Sequence, residues 1–347
     1  MYDIITIGSA TRDVLLEAEG FELREHADSP TGIEQCFPFG SKIEIKKIVF
    51  TTGGGGTNAA VTFGRQGFKT ACVGVVGDDF AAEEILKELK QEGVNTEYIH
   101  KHAEGHTAYS IILVHGSGER TILSYKGEGQ HFDVKHVPVN SFEAKWFYID
   151  SLGGHYDLLE ALINHAVEKK IKIAFNPGGK ELAHGLEKLE PLLKHVDVFA
   201  ANKEEAAELV GTKPEEQEKT LKKLAGVCGG IVIMTDAREG VKVLADSVLY
   251  SAGVPDSPVV ERTGAGDAFN SGFVCEYVRV TSDPEKLRNG ADKRQATSKE
   301  ESVKKAIQFA TANASSVVTK WGAKAGILKK GDWGPWPLVE IATSVFK

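Results

Sequence analysis

Three of the smallest residues precede a carboxylate in the stretch TGAGDAF, where Gly264, Ala265 and Gly266 lead into Asp267. Apolar side chains recur at helical spacing over residues 268–278, so these four residues are predicted to open a helix. The first N–H groups of a helix have no partner inside it, and its positive dipole end favours anions. A phosphate could therefore bind there while Asp267 accepts a proton from a substrate hydroxyl. The alternative is a glycine turn in which Asp267 only caps the helix.

A second glycine-rich stretch, TTGGGGTNAAVTFGRQG, also precedes a predicted helix. Gly54, Gly55 and Gly56 offer further unpaired N–H groups, and Asn58 can both donate and accept hydrogen bonds toward sugar hydroxyls. The stretch lacks the G-x-x-x-x-G-K-[ST] pattern, and it need not follow a central strand as a dinucleotide-binding loop would. The alternative is a flexible connector.

Single polar residues at predicted strand ends supply further candidates. Asp13, in IGSATRD after the first strand, could hold two hydroxyls of a polyol or lie in an ordinary turn. Asn202 and Glu205, in ANKEEAAEL, have the spacing of a capping box, and the alternative for Glu205 is a water-mediated role toward Mg²⁺. The sequence contains no H-E-x-x-H pair and no G-x-S-x-G elbow, which argues against metalloproteases and hydrolases.

Short β-branched or aromatic runs alternate with amphipathic helical patterns along most of the chain. Several runs are apolar throughout, as in strands that are covered on both faces. The alternation predicts an α/β fold, a doubly wound and mainly parallel sheet flanked by helices, with ligands at the carboxyl ends of the strands. The predicted strands are 4–8, 71–76, 146–150, 171–175, 196–200 and 231–235, and the predicted helices include 79–93 and 156–170.

Two segments depart from this alternation. Residues 107–127 contain two strand patterns around HGSGE and predict a hairpin, and the stretch from about 13 to 50 carries further short strand patterns. Together they predict a small β-sheet lid over one edge of the main sheet. The polar segment 282–301 is predicted to be an exposed loop. We therefore predict one domain over residues 1–347 that includes this lid.

The composition is that of an ordinary globular protein, with 41% hydrophobic and 26% charged residues among 347. A formal net charge of −8 argues against nucleic acid as a partner. The four cysteines are far apart without a C-x-x-C pair, which argues against a zinc site and a disulfide framework. Because the first residues lack the basic region of a signal peptide and no run has membrane-spanning length, we expect a cytoplasmic protein without a membrane partner.

Taken in order, the motifs resemble those of the ribokinase-like, or PfkB, family of carbohydrate kinases over roughly residues 3 to 328. TGAGDAF resembles the C-terminal signature of that family, and GGGGTNAAVTFGRQG resembles its N-terminal one. NPGGKE, NKEE, MTDAREGV and VTKWGA fall where the family has comparable segments. The resemblance implies a ribokinase-like fold with a β lid, and an ATP-dependent kinase that phosphorylates a hydroxyl of a small carbohydrate such as ribose or fructose.

The resemblance also implies a role for each candidate residue. Asp267 would be the base that activates the sugar hydroxyl, and the anion hole would be formed by Gly264, Ala265 and Gly266. The sugar-binding residues would be Asp13, Gly54, Gly55, Gly56, Asn58 and Asp150. The ATP site would be lined by Asn202, Thr235, Gly240 and Gly266, with Mg²⁺ bound through water by Glu205. ATP and Mg²⁺ are the implied cofactors, and a homodimer through the lid is left open.

Three departures from the family pattern affect the ligands. Thr11 stands where ribokinases have the Asn of G-S-x-N-x-D, so ribose is left open as the substrate. Gly55 replaces a lysine that is common in ribokinase loops, which removes a phosphate contact. Glu261 and Arg262 precede Thr263 where D-T-T is usual, so a monovalent cation beside the anion hole is also left open.

Two alternatives to a sugar kinase remain. A nucleoside kinase of the same family would share the chemistry and differ in its pocket, and Phe37 and Phe39 could stack on a base or form the core of the lid. The other alternative is a non-enzymatic ligand-binding protein on this fold. The presence of Asp267 argues against it.

Overall fold

The computed structural model of the chain describes residues 1–18, 20–29, 32–281 and 299–346. Within them the strands are, in chain order, β1 (Tyr2–Ile7), β2 (Thr11–Ala18), β3 (Glu22–Glu25), β4 (Ile33–Cys36), β5 (Ile45–Gly53), β6 (Thr70–Gly77), β7 (Asn95–His102), β8 (Ala108–Val114), β9 (Arg120–Tyr125), β10 (Ala144–Ile149), β11 (Lys172–Phe175), β12 (Val198–Asn202), β13 (Ile231–Thr235), β14 (Val241–Ala245), β15 (Val248–Ala252) and β16 (Ile341–Val345). The helices are α1 (Gly55–Arg65), α2 (Phe80–Gln91), α3 (Tyr156–Lys169), α4 (Gly179–Leu182), α5 (Leu186–Leu193), α6 (Lys203–Val210), α7 (Gln217–Val227), α8 (Ala265–Thr281) and α9 (Lys299–Val318).

Ten strands form the main sheet, in the order β16-β15-β14-β13-β12-β11-β10-β1-β6-β7. The pairs from β13 to β7 are parallel, and β14, β15 and β16 add an antiparallel edge. From β1 the chain continues outward to β6 and β7, whereas β10 and the strands after it extend the sheet in the other direction. This confirms the predicted doubly wound sheet. All six predicted strands form, with end shifts of at most two residues, but the parallel edge strand β7 and the antiparallel edge were not predicted.

Helices cover both faces of the main sheet, which explains why its central strands are apolar on both sides. On one face α3, α5, α6 and α7 contribute to the core, with Leu159 and Leu193 fully buried. On the other face α1, α8 and α9 contribute Phe63, Phe273 and Phe309. Of the two predicted helices, 79–93 corresponds to α2 and 156–170 to α3.

A second sheet of four strands has the order β5-β2-β8-β9. We call it the small sheet. The β2–β8 pair is parallel and the other pairs are antiparallel, so the predicted hairpin forms β8 and β9. Leu15 and Ile112 are buried on its inner face beside Trp321. The small sheet confirms the predicted β-sheet from the segments around 13–50 and 107–127, although β2 begins at Thr11 and β5 continues to Gly53.

Two aromatic residues near the β3–β4 hairpin contradict one sequence-based alternative. Phe37 is 54% exposed and Phe39 is 106% exposed. The idea that they form the core of the lid is therefore wrong. The other alternative, stacking on a base, stays a prediction.

The predicted loop at 282–301 lies largely outside the described residues, which end at Thr281 and resume at Lys299. Its last three residues are helical, because they form the first turn of α9. The loop prediction is wrong for those three residues.

Two composition-based expectations can be compared with the structure. Cys36, Cys72, Cys228 and Cys275 are free thiols. Burial raises the pKa of the Cys72 thiol to about 11 and that of Cys275 to about 12, so both are protonated and unreactive at neutral pH. Among the helices of the described residues, none is both long and apolar enough to cross a bilayer.

Candidate active site

The candidate site lies where the strand order of the main sheet reverses, between β1 and β10. Gly8 follows β1 and Asp150 follows β10, and the Asp150 N–H donates to the carbonyl of Ile7 at 2.8 Å. Doubly wound sheets bind ligands at such a point, because the loops leaving the two strands diverge and open a crevice. Asp150 is 7% exposed at this edge.

The glycines at residues 53–56 pack tightly against the carboxylates of the site. A Cβ on Gly53 would overlap the Asp13 carboxylate, and one on Gly55 would overlap the Asp150 carboxylate. Gly54 has φ of 93°, which favours glycine, and α1 begins directly after it. The stretch is therefore a packed turn, and the alternative of a flexible connector is wrong.

Asp13 lies inside β2 of the small sheet, so the alternative of a turn residue is wrong. Its carboxylate is 4% exposed and accepts a hydrogen bond from the Thr11 hydroxyl at 2.9 Å. Burial raises the pKa of Asp13, and hydrogen bonds from Thr11 and Ser110 oppose that rise. The small sheet thus supplies one carboxylate to the site, and the main sheet supplies another.

Asp267 is the third residue of α8, so the predicted helix start is confirmed. Its Oδ2 accepts a hydrogen bond from Asn58 Nδ2 of α1 at 2.7 Å. This contact is to another helix, in contrast to the alternative in which Asp267 only caps its own. Asn58 and the glycine turn before it therefore bring Asp13, Asp150 and Asp267 to one place.

The turn before Asp267 leaves room for an anion. Gly264 has φ of 79°, and a Cβ on it would overlap Ala323. Within the described residues, a Cβ on Gly266 would meet no heavy atom within 4 Å. The N–H groups of Gly266 and Asp267 lie in the first helical turn, where helix geometry provides no carbonyl partner. Space and donors for a phosphate therefore coincide at Gly266.

Glu261 and Arg262, which precede Thr263 and this turn, each have a partner elsewhere in the fold. Glu261 is fully buried and accepts hydrogen bonds from the Thr263 N–H at 2.6 Å and the Gly322 N–H at 3.0 Å. Arg262 Nε lies 3.1 Å from Glu119 Oε1, at the tip of the β8–β9 hairpin. This ion pair joins the small sheet to the loop that leads into α8.

Negative charge accumulates around Asp150. Burial raises the pKa of Asp150 well above its ordinary value, and the charges of Asp267, Glu181 and Glu205 add to the rise. Burial also raises the pKa of Asp267, against the hydrogen bond from Asn58 and the charge of Lys324. A carboxylate in such surroundings is a stronger base than an exposed aspartate.

The residues predicted for ATP form a second group at the ends of β12 and β13. Asn202 and Thr235 are directly paired in the register of these two strands. Asn202 Oδ1 accepts from the Glu205 N–H at 2.8 Å, and Glu205 Oε2 accepts from the Asn202 N–H at 3.0 Å, so the predicted capping box forms. Gly240 has φ of 96°, and a Cβ on it would overlap the carbonyl of Ala252.

An open cavity of about 470 Å³ lies beside Thr235 and Gly240 at this edge of the main sheet. Its lining residues come from α7, from β13 to β15 and from the turns between them. They are Gln217, Met234, Asp236, Glu239, Val241, Lys242, Ser251, Ala252 and Gly253. Asn270 of α8 donates to Asn176 Oδ1 at 2.9 Å, and Asn176 Nδ2 donates to the Ala200 carbonyl at 3.0 Å. These bonds connect α8 to β12.

The sequence analysis missed two buried charged residues near the site. Glu181 is 1% exposed, and its carboxylate accepts hydrogen bonds from Ser151 Oγ at 2.9 Å and the Gly178 N–H at 2.9 Å. It holds the loop that follows Asp150. Lys324 is also 1% exposed. A single lysine between small and apolar residues in GAKAGIL is the signal that could have identified it.

Fold and site together define a doubly wound α/β protein with a carboxylate beside a helix N-terminus that can bind an anion. The chain belongs to the pfkB family of carbohydrate kinases, whose model matches residues 1–330. It is accordingly a kinase, a phosphotransferase with an alcohol group as acceptor.

Both sugar and nucleoside kinases are similar to the chain. The ribokinase of Haemophilus influenzae is 26% identical over 282 residues, covering 79% of this chain and 83% of the relative. The cytidine kinase of Thermococcus kodakarensis is 24% identical over 299 residues, covering 84% and 95%. The structure of ribokinase from Giardia lamblia has a TM-score of 0.74 at 20% identity and covers 95% of this chain and 97% of that one.

Proposed function

We propose that the protein transfers the γ-phosphate of ATP to a hydroxyl of a small carbohydrate, with Asp267 as the base and Gly264, Ala265 and Gly266 as the anion hole. The observation that carries this proposal is the position of Asp267. It lies one residue after the open space at Gly266, and Asn58 holds its carboxylate at 2.7 Å. Proton acceptor and anion donors are thus adjacent, as phosphoryl transfer to an alcohol requires.

The acceptor binds between the two sheets, where Asp13, Asp150, Asn58 and the glycine turn of Gly54, Gly55 and Gly56 converge. Carboxylates accept hydrogen bonds from hydroxyls, and a buried carboxylate can hold two neighbouring hydroxyls of a sugar. Asp13 comes from the small sheet. Closure of the small sheet over the main sheet would therefore complete the pocket. In this role the small sheet acts as a lid within one domain that spans residues 1–347.

Transfer then proceeds by displacement at the γ-phosphorus. Asp267 accepts the proton of the acceptor hydroxyl, whose oxygen forms the new bond to phosphorus. The bond from that phosphorus to the bridging oxygen of ATP breaks, and ADP leaves. N–H groups in the first turn of α8 stabilise the charge on the transferred group.

ATP lies along the carboxyl edge of the main sheet, lined by Asn202, Thr235, Gly240 and Gly266. The alignment of Asn202 with Thr235 and the cavity beside Gly240 support this position. Kinases of this family use ATP. The protein's own donors at Gly266 hold the transferring end of the nucleotide.

Mg²⁺ fits the charge of this site. Burial raises the pKa of Asp150, and the charges of Asp267, Glu181 and Glu205 add to the rise. A divalent cation beside the phosphates offsets such charge. Glu205 would hold the ion through water, since its Oε2 already accepts from the Asn202 N–H. When bound, Mg²⁺ neutralises the phosphates of ATP.

The second candidate is a nucleoside kinase with the same chemistry. Two observations favour it: Phe37 and Phe39 are exposed aromatic rings just after the β3–β4 hairpin, and a cytidine kinase matches 84% of the chain. Aromatic rings can stack on a base. We prefer the sugar because the buried contacts of the acceptor pocket come from carboxylates.

A panel of acceptors with ATP and Mg²⁺ tests the proposal. It contains ribose, fructose, other ketoses and aldoses, sugar phosphates, adenosine, cytidine and inosine, and its readouts are ADP release and the mass of the product. We expect a sugar to be phosphorylated. Turnover of nucleosides alone would replace the substrate class. Binding of an acceptor without any turnover would favour a ligand-binding protein.

We further propose that two copies of the chain associate through the outer face of the small sheet. Phe50, Val14, Ile111 and Leu123 form one row across its four strands. Phe50 is 58% exposed and Leu123 is 52% exposed. Adjacent apolar side chains of this size on a surface are typical of an interface.

Light scattering after size exclusion tests this association. Phe50→Glu should convert a dimer to a monomer, because it buries a charge in the interface. Phe80→Glu is the matched control, since Phe80 is 69% exposed at the start of α2. A monomeric wild type would refute the dimer.

We also infer that the protein acts in the cytoplasm, where its four free cysteines remain reduced.

A further inference from the structure

Lys324 joins the small sheet to the main domain through a buried ammonium. It is 1% exposed. Its Nζ donates to Thr52 Oγ1 of β5 and to Glu88 Oε2 of α2, the latter at 3.2 Å. The Thr52 hydroxyl also contacts the Glu88 carboxylate. Lysine is almost never fully buried unless it is paired, so these two partners account for its position.

The strand that Lys324 holds is the one that supports Asp13. In the register of the small sheet, Thr51 pairs with Asp13 and Thr52 pairs with Arg12. The next residue, Gly53, lies against the Asp13 carboxylate. A shift of β5 would therefore move the support of Asp13.

The two residues before Lys324 contact the loop that leads into α8. Ala323 packs on Gly264 so closely that a Cβ on that glycine would overlap it. The Gly322 N–H donates to Glu261 Oε1 at 3.0 Å. Residues 322–324 thus touch the anion-hole loop and the small sheet in succession.

The main chain of this segment is fixed independently of the ammonium. Arg65 Nη1 donates to the carbonyls of Lys324 and Ile327, both at 2.8 Å. Arg65 is itself held by Glu92, with its Nη2 2.6 Å from Glu92 Oε1. Since these bonds use no side-chain atom of Lys324, a change of its side chain would leave them in place.

We propose that Lys324 is a positioning residue, whose buried ammonium holds the acceptor-binding strand and the anion-hole loop in one arrangement. This inference rests on the proposed kinase function for its effect on turnover, but not for its effect on structure. The titratable groups that interact with the charge of Lys324 are Glu88, Asp13, Asp267, Glu92 and Cys72. Its charge lowers the pKa of Asp13 and of Asp267, against their burial.

Lys324→Met tests the activity arm, since methionine fills a similar volume without charge. We expect the KM for the acceptor to rise about tenfold, as a site loses alignment, with little change in the Kd of ATP. The acidic limb of the kcat/KM profile should move to higher pH, because Asp267 loses a positive neighbour and its pKa rises. Lys330→Met, at an exposed lysine of the same segment, is the matched control and should leave both unchanged.

Hydrogen exchange tests the structural arm without any substrate. In folded Lys324→Met, the amides of β5 should exchange faster, because Thr52 loses its partner. The amides of residues 261–267 should not, because they contact the main chain of Gly322 and the side chain of Ala323, which Arg65 keeps in place. In Lys330→Met neither segment should change. Unchanged exchange in β5 would overturn the proposal whatever the protein phosphorylates. If the wild type phosphorylates no acceptor, the kinase proposal fails while this measurement still decides the role of Lys324.

Thr52→Val covers the case in which Lys324→Met does not fold. It removes the hydroxyl that Lys324 contacts and keeps both charges. We expect faster hydrogen exchange in β5 and a higher KM for the acceptor. The acidic limb of the kcat/KM profile should not move, because the charge of Lys324 is kept. An unchanged exchange rate and KM would mean that Lys324 does not position the strand.

Discussion

The two glycine loops of the site differ in what surrounds them. In the turn at 53–56 every glycine would place a Cβ against part of the protein itself: Asp13, the Ser9 carbonyl, Asp150 or Gly8. In the loop before Asp267, Gly264 packs on Ala323, but Gly266 faces open space within the described residues.

This difference separates two reasons for a glycine. The first turn needs small residues because carboxylates and main-chain atoms of the protein already lie against it. Gly266 has no such neighbour, so a requirement for glycine there would come from a ligand. We infer that the acceptor side of the site is largely complete in the fold, whereas the phosphate side leaves room for what binds.

Asp267→Asn should have the largest effect. Loss of a general base costs about 10²- to 10⁴-fold, so we expect kcat to fall about 10³-fold. Asn can still accept the hydrogen bond from Asn58, and Tm should change little. The measurement is steady-state kinetics beside thermal unfolding. If turnover survives while Tm falls, Asp267 serves only the fold.

Gly266→Ala tests the phosphate side. A methyl group there meets no protein atom but occupies the space of the anion, so kcat/KM should fall about 10²-fold, as for a lost oxyanion donor. Stability should rise by about 0.5–1 kcal/mol, because alanine is the better helix former. Kinetics and denaturant unfolding measure the two effects. Full activity would show that the anion does not approach Gly266.

Gly55→Ala tests the acceptor side. The added methyl overlaps the Asp150 carboxylate, so stability should fall by about 1–3 kcal/mol, as in overpacked sites. We expect the KM for the acceptor to rise about tenfold while the Kd of ATP is kept. A variant as stable as the wild type would contradict the contrast between the two loops.

Asp150→Asn should give a smaller effect that depends on pH. Because the folded protein raises the pKa of Asp150, it holds that proton when the unfolded chain has lost it, and wild-type stability falls as pH rises. The Asn variant has no carboxyl group at this position, so its stability does not fall in this way as the pH rises. Its Tm should exceed that of the wild type by about 1–3 °C at pH 7 and match it near pH 4. A difference independent of pH would mean that the charge of Asp150 is not the cause.

Local patterns predicted much of the fold. The six central strands and the start of α8 follow from runs and spacings within about ten residues, which is the range over which hydrophobic periodicity acts. The edge strand β7 and the antiparallel strands β14, β15 and β16 were missed. Their sequences do not specify which edge they pair with, and β16 joins the sheet from nearly a hundred residues further along the chain.

Gly55 illustrates the limit at the site. In the sequence it stands where ribokinase loops commonly have a lysine, so the sequence alone indicates the loss of a phosphate contact. In the structure the space for a side chain is taken by Asp150, which lies 95 positions later in the chain. Lys324 illustrates the same limit. Its neighbours in GAKAGIL indicate burial, but the partners that hold its ammonium, Thr52 and Glu88, lie 272 and 236 positions earlier in the chain.

The sequence by itself determined the sheet class, the helix that begins before Asp267 and the residue types available for phosphoryl transfer. These depend on periodicity, propensity and local hydrogen bonding. The tertiary structure alone decided that Asp13, Asp150 and Asp267 meet at the glycine turn and the first turn of α1, and that Lys324 lies buried between the small sheet and α2. Contacts between distant segments and the loss of water around them set both the geometry and the pKa values, and neither is encoded within any single stretch of the chain.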